Sequence, residues 1–297
     1  MIYSHPEKAG LLADFCRIQN RLCMRKCDFG EKTMDKNRPI GVIDSGVGGL
    51  SVLRALQKTM PHESFLYLGD TARAPYGTRS RETITAFVAE MTDWLEQKGI
   101  KQLVVACNTI TVLGTDVIKG AHPFTVIGMS KAVKEVLEAT GNKHIGLMAT
   151  DFTVGTGAHR REIRAADPAV QLFGVGCTKF VPLIEGNRFG SPELKAAISE
   201  YADALKAKEV DTVILGCTHY PFVREYLQEA FGPDVTIVDP AEATALQAKA
   251  ELEACGLLRT EGPGSCTICF TGDVGLGKLL AERMLDPATC EFKQVKL

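Results

Sequence analysis

The chain has 297 residues, 45% of them hydrophobic and 24% charged, with a formal net charge of -2. That length can bury one or two cores, and the near-neutral balance leaves no basic surface for nucleic acid or an anionic membrane. No apolar run reaches the roughly 20 residues that span a bilayer, and the N-terminus lacks a secretory apolar stretch. The expected compartment is therefore the cytoplasm, with the ten cysteines present as thiols and not as disulfides.

Residues 1–38 read as an N-terminal extension, basic in character, with a short helix around 11–25. Its Cys16, Cys23 and Cys27 are spaced seven and four apart, without the CxxC pair usual in zinc modules, so no metal is expected there. Met34 stands just before the first strong strand and could be an internal start. From Pro39 the pattern alternates. A buried strand at 40–43 runs into Asp44-Ser45-Gly46-Val47-Gly48-Gly49, followed by a helix at 50–59. A strand at 64–68 precedes a long polar loop, Gly69 to Gly77, in which Tyr76 could supply a hydroxyl and Gly77 a backbone N–H. A helix at 80–98 follows, then a strand through Leu103-Val104-Val105-Ala106 into Cys107-Asn108-Thr109. A further helix, a strand at 125–127 and a helix at 131–140 complete the first half.

The order then repeats, with a strand-like stretch at 144–151, helix 157–166, strand 170–173, helix 192–207 and an apolar run Val213-Ile214-Leu215-Gly216 into Cys217-Thr218-His219. Gly41 and Gly146 are 105 residues apart, and Cys107 and Cys217 are 110 apart, so two units of like design stand in tandem. Strand–helix alternation of this kind marks an α/β fold, two similar domains with mostly parallel sheets flanked by helices. Helices at 241–255 and 275–285 and a strand at 267–270 form the tail. The expected division is 1–38 as extension, 39–132 plus 243–297 as the first domain, and 133–242 as the second.

Ligands of open parallel sheets bind beyond the carboxyl ends of the strands. Cys107 and Cys217 both fall there, and a thiol near a helix N-terminus is more acidic than a free one. Inverting a carbon stereocentre needs a base on one face and an acid on the other, so two like thiols across a cleft suit that reaction. Asp44 could meet a substrate amino group, with the Gly-rich backbone N–H groups meeting a carboxylate. Three other patterns fail, two on a single residue and one on strand geometry. Ser51 breaks a dinucleotide fingerprint, Leu279 breaks a P-loop at 272–279, and Cys266-x-x-Cys269 on a strand sends its sulfurs to opposite faces.

Taken together, Asp44-Ser45-Gly46-Val47-Gly48-Gly49, Gly69-Asp70-Thr71-Ala72-Arg73-Ala74-Pro75-Tyr76-Gly77, Ala106-Cys107-Asn108-Thr109 and Gly216-Cys217-Thr218-His219-Tyr220-Pro221 resemble the cofactor-independent glutamate racemases. The resemblance covers the chain from about residue 39. It implies an isomerase acting on glutamate without metal, pyridoxal phosphate or any other cofactor, supplying D-glutamate for peptidoglycan, and assembled as a homodimer with its active site at the domain interface. It implies Cys107 and Cys217 as the acid/base pair, Asp44 assisting the first and His219 the second, and Glu185 as an extra carboxylate on the second side. Substrate contacts are implied for Asp44, Ser45, Tyr76, Gly77, Asn108, Thr109, Thr153, Thr218 and His219. The sequence departs from the family pattern at Thr178 and Pro240. The readings left beside it are a related racemase for aspartate or hydantoin, and a non-catalytic small-molecule sensor on the same scaffold.

Overall fold

The computed structural model describes residues 34–115 and 118–297; the expected helix at 11–25 and the three leader cysteines lie outside the described residues. Strand β1 (Ile40–Asp44) holds the middle of the first sheet, and all five of its residues are buried, as befits a strand covered on both faces. On one side it pairs with β2 (Phe65–Gly69) and on the other with β3 (Gln102–Val105), beyond which lies β4 (Thr125–Gly128). The second sheet repeats the plan. There β5 (His144–Ala149) lies between β6 (Gln171–Gly176) and β7 (Thr212–Leu215), with β8 (Thr236–Val238) outside β7. Every pairing is parallel, so the expected α/β architecture with two like sheets holds. The C-terminal strands β9 (Cys266–Phe270) and β10 (Glu291–Gln294) extend the first sheet past β2.

Helices α1 (Leu50–Thr59), α2 (Arg81–Gln97) and α3 (Asn108–Gly114) connect the strands of the first unit, and α4 (Val133–Ala139) leads into the second. The second unit carries α5 (Asp151–Thr156), α6 (Ala158–Ala166), α7 (Phe180–Glu185), α8 (Pro192–Lys206) and α9 (Arg224–Phe231). Then α10 (Ala241–Ala254) packs on α1, and α11 (Val274–Ala281) precedes β10. Leu50, Leu53 and Leu56 recur at helical spacing on α1 and are fully buried, each contributing about 1.5–3 kcal/mol. Helix starts follow side-chain caps: Ser80 accepts from the Thr83 N–H, and Ser191 from that of Leu194 just ahead of Pro192. No helix among the described residues is long and apolar enough to cross a membrane.

Several boundaries depart from expectation. A helix expected to begin at 157 is preceded by α5, which Thr150 caps by accepting from the Thr153 N–H; Gly157, at φ 65°, then turns the chain into α6. The strand expected at 170–173 runs from Gln171 to Gly176, and the last expected helix ends at Ala281. Strand β10 carries no apolar alternation, because it is a mostly exposed edge. The P-loop-like stretch is a capped helix start, since Asp273 accepts from Gly275 and Leu276 N–H and so occupies donors a phosphate would need. Cys266 and Cys269 do fall in different core clusters on the two faces of the sheet.

Each sheet reverses strand order at its first strand. Such reversals open a crevice at the carboxyl ends, and the loops after β1, β3 and β7 meet there.

Candidate active site

Asp44 ends β1 and is fully buried. One of its carboxylate oxygens accepts from the Gly46 N–H at 2.8 Å, and the other from the Thr218 hydroxyl of the second unit at 3.1 Å. The loop after β1 carries glycine because nothing else fits. A Cβ on Gly46 would sit 2.1 Å from Glu185 Oε1, and one on Gly48 would sit 2.4 Å from His219 Nδ1. The Gly-rich loop was expected to hold a substrate carboxylate; instead the Gly46 N–H goes to Asp44, and that of Val47 donates to Glu185 Oε1 at 3.1 Å. Its Tyr67 support is direct, with the phenol donating to Gly46 O at 2.7 Å.

Cys107 occupies the N-cap position of α3 and its thiol donates to Ser45 Oγ at 3.7 Å. Burial and the Asp44 carboxylate beside it push its pKa up to about 12, so it rests as a thiol at neutral pH. Burial likewise raises the Asp44 carboxyl above its ordinary value, with His219 acting against the rise. On the opposite flank, Cys217 follows β7 with its sulfur 3.8 Å from His219 Nδ1, and His219 Nε2 lies 2.7 Å from Glu185 Oε1. Burial opposes a charge on this imidazole, yet its bonds to Cys217 and Glu185 prevail and hold its pKa well above the usual histidine value. The outcome is an imidazolium between a sulfur and a carboxylate. The two sulfurs share one electrostatic environment, because charge on Cys217 contributes to the rise at Cys107.

The expected binding residues gather around this pair. Asn108 is buried, and its side-chain N–H₂ has no partner; a buried donor left unpaired is costly and points to a group that arrives from outside. Thr109 Oγ1 lies 3.3 Å from Thr150 Oγ1, which donates in turn to Thr153 Oγ1 at 3.0 Å, so a threonine chain crosses from one unit to the other. Thr153 is thereby one step behind Thr150. A Cβ on Gly77 would come within 3.2 Å of Thr150, so this glycine lets the long loop approach α5. Tyr76 differs from expectation in one respect: its hydroxyl donates to Asp70 and is buried, which leaves its backbone, not its phenol, to face a ligand. Asp70 also accepts from Arg73 Nε at 2.6 Å and from the Thr271 hydroxyl at 2.7 Å. Sequence reasoning passed over Asp70 and Thr150; the only signals were a buried-type aspartate opening the loop and the Thr150-x-x-Thr153 cap.

Residues 40–248 match the Asp/Glu/Hydantoin racemase family. The glutamate racemase of Levilactobacillus brevis is 38% identical over 265 residues, which cover 88% of this chain and 96% of that protein. That of Rippkaea orientalis is 41% identical over 228 residues, covering 77% of this chain and 81% of its own. Among solved structures, glutamate racemase isoform RacE1 from Bacillus anthracis superposes with a TM-score of 0.82 at 32% identity, covering 88% of this chain and 98% of that one. The glutamate racemase of Francisella tularensis, solved in complex with D-glutamate, superposes with a TM-score of 0.76 at 28% identity, with the same coverage of 88% and 98%.

Proposed function

The chain belongs to the Asp/Glu/Hydantoin racemase family, and from that premise we propose that it interconverts L- and D-glutamate by a two-base transfer at the α-carbon. The observation that carries this reading is the pair of buried thiols at matched strand ends, one beside Asp44 and Ser45, the other joined to His219 and Glu185. Glutamate is favoured because the relatives at 38% and 41% identity are glutamate racemases and one solved relative holds D-glutamate.

In one direction Cys217, its proton held by His219, attacks as thiolate and takes the α-hydrogen from one face. The Cys107 thiol then delivers its proton to the other face. Charge that builds on the substrate carboxylate between these events is met by donors from Ser45, Asn108, Thr109 and Thr218, in a site too buried for water to compete. Tyr76 and Gly77 offer backbone N–H groups, and Thr153 sets the orientation of Thr150. Glu185 steadies the imidazolium that stands beside the Cys217 thiolate before the step. In the reverse direction Cys107 starts as the thiolate, which its hydrogen-bond partner Ser45 can steady, and Asp44 is the carboxylate that acts on its titration. No residue in this scheme calls for metal or cofactor. The reading extends to D-glutamate for peptidoglycan made in the cytoplasm by a homodimer, with domains divided near residues 132 and 242.

Turnover of L-glutamate in deuterated water tests the scheme. At early conversion the D-product carries solvent deuterium while recovered substrate stays largely protiated; equal deuteration of both would reject two separate bases. A panel of amino acids followed by polarimetry decides the substrate, and turnover of aspartate with glutamate inert would overturn it. Binding of glutamate with no α-proton exchange would leave the sensor reading instead.

A further inference from the structure

One cysteine pair takes no part in this chemistry. Glu291 of β10 lies opposite Thr267 of β9, so one residue back Cys290 falls opposite Cys266. Side chains at paired positions of neighbouring strands share a face, and here the two thiols lie near enough to shift each other's titration, Cys290 downward and Cys266 upward. Adjacent strands run about 4.8 Å apart, inside the ~4.4–6.8 Å Cα separation that a disulfide bridges.

The two sulfurs differ in surroundings. Cys290 is partly exposed, with Gln57 Nε2 donating to it from 4.0 Å and Thr289 Oγ1 within hydrogen-bond reach at 3.7 Å. The contact with Cys266 holds its pKa below the ordinary thiol value, against the effect of burial, which favours the thiolate there. Cys266 is 6% exposed, and its bond to Cys290 together with burial holds it as the thiol. A partly exposed cysteine of lowered pKa beside a buried thiol is the arrangement of a reactive cysteine with its resolving partner. Cys269 lies on the other face of the sheet and is excluded. The pair sits at the amino end of β9, away from the carboxyl-end crevice.

We propose that Cys290 is a hydroperoxide-reactive thiol and Cys266 its resolving partner, forming a reversible disulfide that pins β10 to β9. In the first step the Cys290 thiolate attacks a peroxide oxygen. An S–O bond forms, the O–O bond breaks, sulfur is oxidised, and the departing hydroxide leaves as water after taking a proton. In the second step the Cys266 sulfur attacks the sulfenic sulfur. An S–S bond forms, the S–O bond breaks, and the released hydroxide carries off the Cys266 proton as water. A dithiol reductant restores both thiols by exchange.

The test uses the full chain, treated with hydrogen peroxide in the presence of glutamate, alkylated, and digested without reductant. Mass spectrometry should find the Cys266 and Cys290 peptides joined, short of two hydrogens, and separated again by dithiothreitol. In Cys266→Ser, dimedone should instead label Cys290. Linkage of Cys290 mainly to another cysteine would overturn the proposal, as would full alkylation of Cys290 under peroxide that oxidises other thiols. The joined peptide from the unaltered chain decides the matter even if the variant does not fold. Because the readout is thiol chemistry and not turnover, its failure is distinct from failure of the racemase reading.

Discussion

The flank of Cys107 and the flank of Cys217 follow corresponding strands, β3 and β7, of two like units, yet their sulfurs meet different partners. Beside Cys107 stand a hydroxyl and a buried carboxylate, which keep the sulfur protonated. Beside Cys217 stands a histidine held well above its usual pKa by that sulfur and by Glu185. A duplicated scaffold thus supplies symmetric positions, and the neighbours of each position supply the asymmetry. The proposed two-base scheme draws on that combination, a base reaching one face while an acid reaches the other.

The largest break in the comparison is removal of either sulfur. Cys107→Ala and Cys217→Ala should each lower kcat by about 10³-fold or more, read by circular dichroism from both enantiomers. Full activity in either variant would end the two-base scheme. A sharper cut is His219→Gln, which leaves both sulfurs and removes only the partner of Cys217. A loss of about 10²-fold is expected, falling on proton abstraction by Cys217 and so showing as unequal primary isotope effects from α-deuterated L- and D-glutamate.

A smaller effect, of about 10-fold, is expected for Glu185→Gln. The carboxylate is one of the groups raising the His219 pKa, so without it the imidazolium loses its proton at lower pH. The alkaline limb of kcat/KM should therefore move to lower pH, and an unmoved limb would separate Glu185 from the relay. The smallest change lies outside both flanks. Tyr76→Phe deprives buried Asp70 of one of its donors and should cost about 1 kcal/mol in urea unfolding, with kcat nearly unchanged.

Parts of this were legible in the sequence and parts were not. Cys107 and Cys217 could be placed because an apolar run ending in a small residue reads as a buried strand, and the next side chain then stands at its carboxyl end. Gly41 and Gly146 fixed the register of the duplication for the same reason. Glu185 was reached only through family resemblance, because its partner His219 lies 34 residues away and nothing local marks such a pairing. The direction of the Tyr76 hydroxyl was not legible, since it depends on Asp70 being held by Arg73 and by Thr271 from the far tail. Strand β10 was missed because an exposed edge needs no apolar face.

Gly48 has one more implication. Its missing methyl group is the clearance between the halves, given that a Cβ would stand 2.4 Å from the ring of His219 and 2.6 Å from the Thr218 hydroxyl. Alanine there would act as a doorstop. Each sheet would keep its own interior while the jaws were wedged apart, making Gly48→Ala a built-in way to trap the enzyme ajar for studying how glutamate enters.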